Sequence, residues 1–485
     1  MAFNSLNYIL LLISVITLYY LLPQRFRWGL LLIASYIFYM AWKPGLIVLI
    51  LFTTVCNYSF ARLIGASSSP RARKTCLLLT LLIDFGLLFV FKYLVFFNNT
   101  FLGIFGSHWP VSAFDLILPM GISFYTFQSA AYVIDVYRGE IQPEKHFGIF
   151  ALFITFFPQL VAGPIERSKN LLPQFYKKHA FSIENLLWGS KLMLWGFFKK
   201  IVIADRAAVL VNKVFNHIDE YSGPSIALAA LAFTFQIYCD FSGYSDIAQG
   251  SARCLGFQLM DNFKTPYLSK SIREFWRRWH ISLSGWFSDY IYIPLGGNRK
   301  GTAVKCRNLM VTFLVSGLWH GANWTFVLWG ALHGIYQIIG TLTLPVRKKI
   351  AEALHFENHA FTNLLRSFFT FVLVIFSWIL FRANSIADAL TAYRHLIHGW
   401  RAMLIPQRAY EILLTLGLNS FELVLLGFCL LILVMTEVCS RKKNVYLTLE
   451  NAPSVLRIVF YALITVLIFT SGVFYDAASF IYFQF

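Results

Sequence analysis

Acid is scarce in this sequence: 23 Asp and Glu stand against 41 Lys and Arg, and charged residues of both signs fill only 13% of 485 positions. With 58% of residues hydrophobic and 18% aromatic, there is too little polar surface to cover a soluble globule of this size. Repeats, low-complexity tracts and polar linkers are also missing, which excludes a solenoid or an appended soluble domain. The seven cysteines (Cys56, Cys76, Cys239, Cys254, Cys306, Cys429, Cys439) contain no CxxC pair. Most lie in or beside apolar runs, where a thiol behaves as a small hydrophobe, so neither a disulfide framework nor a metal site is expected.

What remains is a series of long apolar runs. Crossing the hydrocarbon takes about 20 mainly apolar residues, with every backbone group bonded internally, and continuous runs meet that demand as helices. The expected fold class is therefore all-α, a polytopic integral membrane protein. Spans are predicted at residues 8–22, 28–42, 46–61, 76–97, 118–137, 147–161, 186–203, 224–239, 308–319, 324–340, 363–380, 412–438 and 455–475. Several are short enough to be buried or re-entrant, which gives 11 to 13 membrane-embedded helices. One domain, residues 1–485, is expected, with a core at 46–380 and C-terminal helices at 381–485.

The net charge of +18 sits in the joints between these runs rather than on a separate basic domain. That placement follows the positive-inside rule and argues against nucleic acid as a partner; membrane lipids are the expected surroundings. The first run follows the uncharged stretch before Tyr8 instead of a positive n-region, so it is expected to be retained. Arg25 and Arg27, Arg71 to Lys74, Arg347 to Lys349 and Arg441 to Lys443 mark cytoplasmic joints, while residues 98–109 and both termini, including Phe485, fall outside. The 383–410 loop also falls outside, against the pull of Arg382 at its edge and Arg394, Arg401 and Arg408 within it.

Ionisable groups inside the apolar runs are functional candidates because burial there is costly. Of eleven histidines, His108, His146, His179, His217, His355, His359, His395 and His398 lie in polar joints and read as surface residues. His280, His320 and His333 do not. His320 lies in Gly317-Leu-Trp-His-Gly-Ala-Asn-Trp324, between two tryptophans at a predicted helix break. His320 and His333 would stand about 20 Å apart on one continuous helix, so they share a site only if residues 321–323 break it. His333 reads as a packing or hydrogen-bonded residue, and His320 as the chemistry candidate. Asp135, Asp240 and Asp246 each need a buried partner, and Ser242-Gly-Tyr-Ser245 is expected to interrupt a helix beside a cavity.

Between residues 261 and 307 hydropathy falls while aromatics persist, and nine Lys/Arg accumulate. As one helix, 271–290 would place Ile272, Phe275, Trp276, Trp279 and Leu283 on an apolar face and Arg273, Arg277, His280 and Ser284 on a basic one. This predicts an interfacial anchor. The turn-prone Pro294-Leu-Gly-Gly-Asn-Arg-Lys-Gly301 follows, where Arg299 and Lys300 are candidates for holding donor phosphates.

The sequence FWRRWHISLSGWFSDYIYIPLGGNRKG (275–301) followed by GLWHGANWTFVLWGALHG (317–334) resembles the membrane-bound O-acyltransferase family, in particular its bacterial alginate O-acetyltransferase branch. LPMGISFYTFQSAAYVIDVYRG (118–139), FFPQLVAGPIERSKNLLPQ (156–174) and GFFKKIVIADR (196–206) extend the resemblance over roughly residues 46–380. The resemblance implies a funnel of helices around a tunnel between the membrane faces, with His320 at the catalytic position and His280 at the second functional histidine. It also implies an acetyl donor such as acetyl-CoA or another cytosolic thioester, with no permanently bound cofactor. The acceptor would be an extracytoplasmic polysaccharide, an alginate-like exopolysaccharide or peptidoglycan, reached by way of a periplasmic or membrane-anchored acetyltransferase partner at the bacterial inner membrane. D-alanyl or lipid transfer is the alternative within the family. A transporter with a histidine proton relay, or a scaffold without chemistry, is the alternative outside it, and inverted repeats that would favour transport are not found.

Overall fold

The computed structural model describes residues 1, 3–106, 118–161, 163–353, 359–441, 445–474 and 480–481. His108, His355, the end of the 98–109 loop, Lys442, Lys443, Tyr475 and Phe485 lie outside the described residues. Among the described residues all regular structure is helical. Seven helices are long and apolar enough to cross a membrane: Pro44–Ala66, Pro70–Phe105, Gly223–Cys254, Trp324–Leu342, Ala360–Arg382, Ser420–Cys439 and Ser454–Ser471. Leu6–Leu21 is apolar but shorter. The protein is all-α and multi-spanning.

The chain divides into two compact units, Met1–Met193 with Tyr244–Met260, and Leu194–Gly243 with Asp261–Phe485. In the first, the Ile122–Arg138 helix is buried along nearly its whole length. Ser123, Thr126, Ser129, Ala130 and Ala131 keep it slim enough for neighbours to close on it. Asp84, deep in the Pro70–Leu88 helix, accepts from Asn57 Nδ2 at 2.8 Å, an amide partner for a carboxylate that could not be left alone there. Phe147–Thr155 spans only nine residues and is almost entirely buried, too short to cross a bilayer. Beyond it, Glu166 is buried in a non-helical stretch. Burial pushes its carboxyl up to about 7, although the Met260 N–H at 2.5 Å and Asn170 Nδ2 at 2.9 Å pull the other way.

The second unit carries two corrections. Residues 412–438 form two helices, Pro406–Thr415 and Ser420–Cys439, not one. Gly417 takes a left-handed φ of 91° and Asn419 starts the next helix with a capping box to Glu422, a stop and a start that hydropathy does not register. Conversely, the Gly223–Cys254 helix runs through Ser242-Gly-Tyr-Ser245 without a break. Gly243 is there for proximity: a Cβ would stand 2.8 Å from Gly196 O and 3.2 Å from Lys200 N.

That close approach serves a buried charge network. The helix following Phe197 widens into a π-helical segment, Phe198–Ala204. From it Lys200 Nζ reaches Asp205 Oδ1 and Asp240 Oδ1, each at 2.7 Å, and Lys199 Nζ donates to Ser242 Oγ at 2.9 Å. Asp240 thus finds its partner in a lysine, while its other oxygen accepts from the Ile481 N–H at 2.8 Å.

Candidate active site

The segment predicted as one interfacial helix is two. Ile272–Arg278 ends, His280 takes a left-handed φ of 43°, and Ile281–Phe287 begins, running on into a π-helical Ser288–Tyr292. The expected apolar face is buried in protein, with Ile272, Phe275, Trp276, Trp279 and Leu283 all in the core, and His280 is buried with them. The interfacial-anchor reading is therefore replaced by an internal helical corner. A continuous helix would have turned His280 toward the arginines; the break turns it inward.

Asn262 builds this corner. Its carbonyl accepts from Ile281 N at 2.9 Å and its Oδ1 from Ser282 Oγ at 2.6 Å. A left-handed non-glycine residue costs roughly 1–2 kcal/mol and persists only where its surroundings impose it. Here those two bonds and the Phe241 ring, 4.6 Å from the imidazole centroid, supply the imposition.

His320 is the last residue of the Gly301–His320 helix; the backbone is extended at Gly321, and Asn323 caps Trp324–Leu342 by accepting from Thr325 N at 3.0 Å. The two helices fold back on each other through paired glycines. A Cβ on Gly317 would lie 2.2 Å from Phe326 O, and one on Gly330 2.2 Å from Phe313 O. This break meets the condition for bringing His320 and His333 together: the Trp329 ring stands 5.0 Å from the first and 4.9 Å from the second. His333 is nevertheless committed to structure. Its Nδ1 accepts from Trp276 Nε1 at 3.2 Å and its Nε2 bonds Ser377 Oγ at 3.0 Å.

His280 and His320 border the same indole. The Trp319 ring lies 6.0 Å from His280 and 5.1 Å from His320, with Phe381 closing the other side of His320 at 5.4 Å. Both imidazoles are buried, so a reaction between them would proceed in a low-dielectric, aromatic-walled space. Arg299 and Lys300 are elsewhere. They lie exposed on a turn, Gly296 and Gly297 adopting φ of 108° and 56°, that Asn308 ties by donating to Leu295 O at 3.2 Å and Gly297 O at 3.0 Å. This turn begins the helix that His320 ends, about 30 Å away along its axis. The Lys199–Lys200–Asp205–Asp240 network was missed as a unit; its signal was a pair of adjacent lysines inside an apolar run. Among the described residues no group of three His, Cys, Asp or Glu is placed to hold a metal.

The membrane-bound O-acyltransferase family model matches residues 146–374, a stretch containing all three buried histidines. A probable alginate O-acetylase AlgI of Pseudomonas putida is 42% identical over 402 residues, covering 81% of this chain and 79% of that protein. A peptidoglycan O-acetyltransferase of Helicobacter pylori is 35% identical over 76% of this chain and 73% of its own length. A teichoic acid D-alanyltransferase of Streptococcus thermophilus is 28% identical over 54% and 68%. With matches of this identity and coverage, the chain belongs to the membrane-bound O-acyltransferase family and is an acyltransferase.

Proposed function

We propose that this protein is an O-acetyltransferase of the bacterial inner membrane, moving acetyl groups from a cytosolic thioester such as acetyl-CoA to the opposite face for O-acetylation of an extracytoplasmic polysaccharide. The observation that carries the reading is the juxtaposition of His280 and His320 on Trp319, each at a helix break and each buried. Relatives that acetylate alginate or peptidoglycan support acetyl as the group and a cell-envelope polymer as its destination. The D-alanyl alternative rests on lower identity over barely half the chain.

In this reading an imidazole nitrogen of His320 accepts the acceptor hydroxyl's proton as the oxygen attacks the thioester carbonyl. The C–S bond breaks, an ester forms, and the proton passes to the departing thiolate. Imidazole suits the task because its ordinary pKa lies near neutrality, so it can take up a hydroxyl proton and return it without large tuning. His280 orients the reacting groups from across the indole. Arg299 and Lys300, with the basic residues before them, hold donor phosphates on the cytoplasmic side. A periplasmic or membrane-anchored acetyltransferase partner receives the acetyl group, and both termini face the periplasm. Mass analysis of surface polysaccharide from cells carrying native protein or His320→Ala tests the reading. Loss of O-acetyl groups with unchanged membrane insertion is expected; retained acetylation overturns it.

A further inference from the structure

The first unit buries a carboxylate that the proposed chemistry does not use. Asp84 lies where the Pro70–Leu88 helix packs against Ile47–Ala66 and Ile122–Arg138. Its Oδ1 accepts from Asn57 Nδ2 at 2.8 Å, while its Oδ2 accepts from nothing among the described residues. No lysine, arginine or histidine among them pairs with it. The local donors are already spent. Asn57 gives its other N–H to Thr53 O at 2.9 Å, and Thr80, one turn before Asp84, gives its O–H to Cys76 O at 2.8 Å. Half of a carboxylate is thus buried with neither proton donor nor cation, a state the interior penalises until a further partner completes it.

Four more oxygens share that condition. Asn57 Oδ1, the Tyr125 and Tyr39 hydroxyls and Ser129 Oγ have no partner among the described residues, and none of these side chains belongs to a residue more than 3% exposed. Tyr125 lies within electrostatic reach of both Asp84 and Tyr39. Ser129 follows Tyr125 by one turn on the same face of its helix, and Tyr39, near the end of Gln24–Met40, brings in a fourth helix. Buried polar atoms are nearly always satisfied, and a group that the protein leaves unsatisfied calls for a bound water or ion. The carboxylate and amide oxygens can only accept, so the set is rich in acceptors and holds one uncompensated negative charge. That composition matches a hard monovalent cation. A divalent ion would draw on several carboxylates, and a few protein oxygens suit sodium better than the larger potassium.

We propose that Asp84, Asn57, Tyr125, Ser129 and Tyr39 hold a sodium ion that clamps these four helices together. No triad of His, Cys, Asp or Glu is needed, because one carboxylate neutralises an alkali ion and neutral oxygens complete its shell. The site is independent of acetyl transfer: its residues belong to the first unit, and the three buried histidines to the second.

The test is equilibrium binding of radioactive sodium to the purified full-length chain in zwitterionic-lipid nanodiscs, read by scintillation proximity at constant ionic strength with choline as the replacement cation. One saturable site per chain is expected, displaced by unlabelled sodium and roughly tenfold less well by potassium. Asp84→Asn, which keeps the shape and removes the charge, should abolish binding. Tyr125→Phe, which removes one hydroxyl and leaves the Asn57–Asp84 bond in place, should weaken it roughly tenfold and keeps the proposal testable if Asp84→Asn does not accumulate. Glu166→Gln, which neutralises another buried carboxylate of the same unit, should leave binding unchanged. Thermal unfolding gives a second reading, since an ion that binds only the folded chain raises its midpoint. The native protein should melt later in sodium than in choline, and Asp84→Asn at the same temperature in both. Absence of saturable binding overturns the proposal, as does binding that survives Asp84→Asn, is lost in Glu166→Gln, or is displaced equally by potassium. A midpoint that moves with pH but not with sodium also overturns it, because Asp84 would then be carried protonated with water bridging the other oxygens.

Discussion

His320 and His333 border one tryptophan, Trp329, and illustrate two ways of burying an imidazole. His333 lies inside a continuous helix, both ring nitrogens bonded to Trp276 and Ser377 and its ring stacked near-parallel to Phe275. His320 ends a helix, where the chain turns extended and aromatic rings, Trp319, Trp329 and Phe381, surround it. A histidine within a helix is fixed by neighbours on every side; one at a helix end faces the region where regular backbone stops, which at membrane depth is protein interior or a water-lined space. The same residue type at similar burial is therefore locked into a helix's packing in one place and set at a helix end, where the proposed chemistry would occur, in the other.

Substitution should separate the two most sharply. His320→Gln, which preserves volume, is expected to lower acetyl transfer by roughly 10²–10⁴-fold, the usual contribution of a general base, with unchanged detergent-solubilised yield. His333→Ala should do the reverse. It strands the Trp276 indole N–H, at a cost of about 1–3 kcal/mol, and lowers the thermal unfolding midpoint while transfer per folded molecule persists. Activity lost equally in both variants, with equal stability, would erase the distinction.

The next largest effect concerns the fold-back that makes the comparison possible. Gly330→Ala places a methyl 2.2 Å from the Phe313 carbonyl. Backbone cannot swing aside as a side chain can, so the penalty should reach the upper end of roughly 1–3 kcal/mol for overpacking. Fluorescence-detected gel filtration after a heating series would register it, and a profile like the native one would show that the helices have room to separate. At His280 the backbone sets the rule. Asn tolerates the left-handed region and Val does not, so His280→Asn should fold and transfer acetyl roughly a hundredfold more slowly, as misplacement in an active site does. His280→Val should fail to accumulate. If both accumulate alike, the corner is not imposed by its surroundings.

Much of this is legible in the sequence, and two of the departures, at His280 and at Gly243, share a cause. Apolar runs and basic joints disclosed a multi-spanning helical protein because the bilayer penalises exceptions to that pattern. His320 was legible because its flanking glycine and Asn323 signal a helix stop and start. The corner at His280 was not, since nothing in RRWHIS breaks a helix; the turn is imposed by Asn262, eighteen residues earlier. Ser242-Gly-Tyr-Ser245 misleads in the opposite direction. Gly243 serves close packing against Gly196 and Lys200, and a glycine chosen for proximity looks in sequence like one chosen for flexibility. At His280 and Gly243 a distant segment decides the backbone, whereas at 412–438 the local stop at Gly417 and capping box at Asn419 are outweighed in the sequence by unbroken hydropathy.

The smallest expected effect lies farthest from the histidines. Arg299 and Lys300 are exposed on a turn whose shape is held by Asn308, not by their own side chains. Replacing both with Ala should leave the turn and the Gly301–His320 helix intact. Exposed charges are screened by solvent and salt, so each contributes little; together they should raise the donor's KM by about threefold to tenfold and leave kcat unchanged, because they touch ground state and transition state alike. The difference should fade as ionic strength rises, since screening removes from the native protein what the variant already lacks. A fall in kcat with constant KM would instead place these residues in the chemistry, and the separation between a donor-holding turn and a reacting histidine corner would no longer hold.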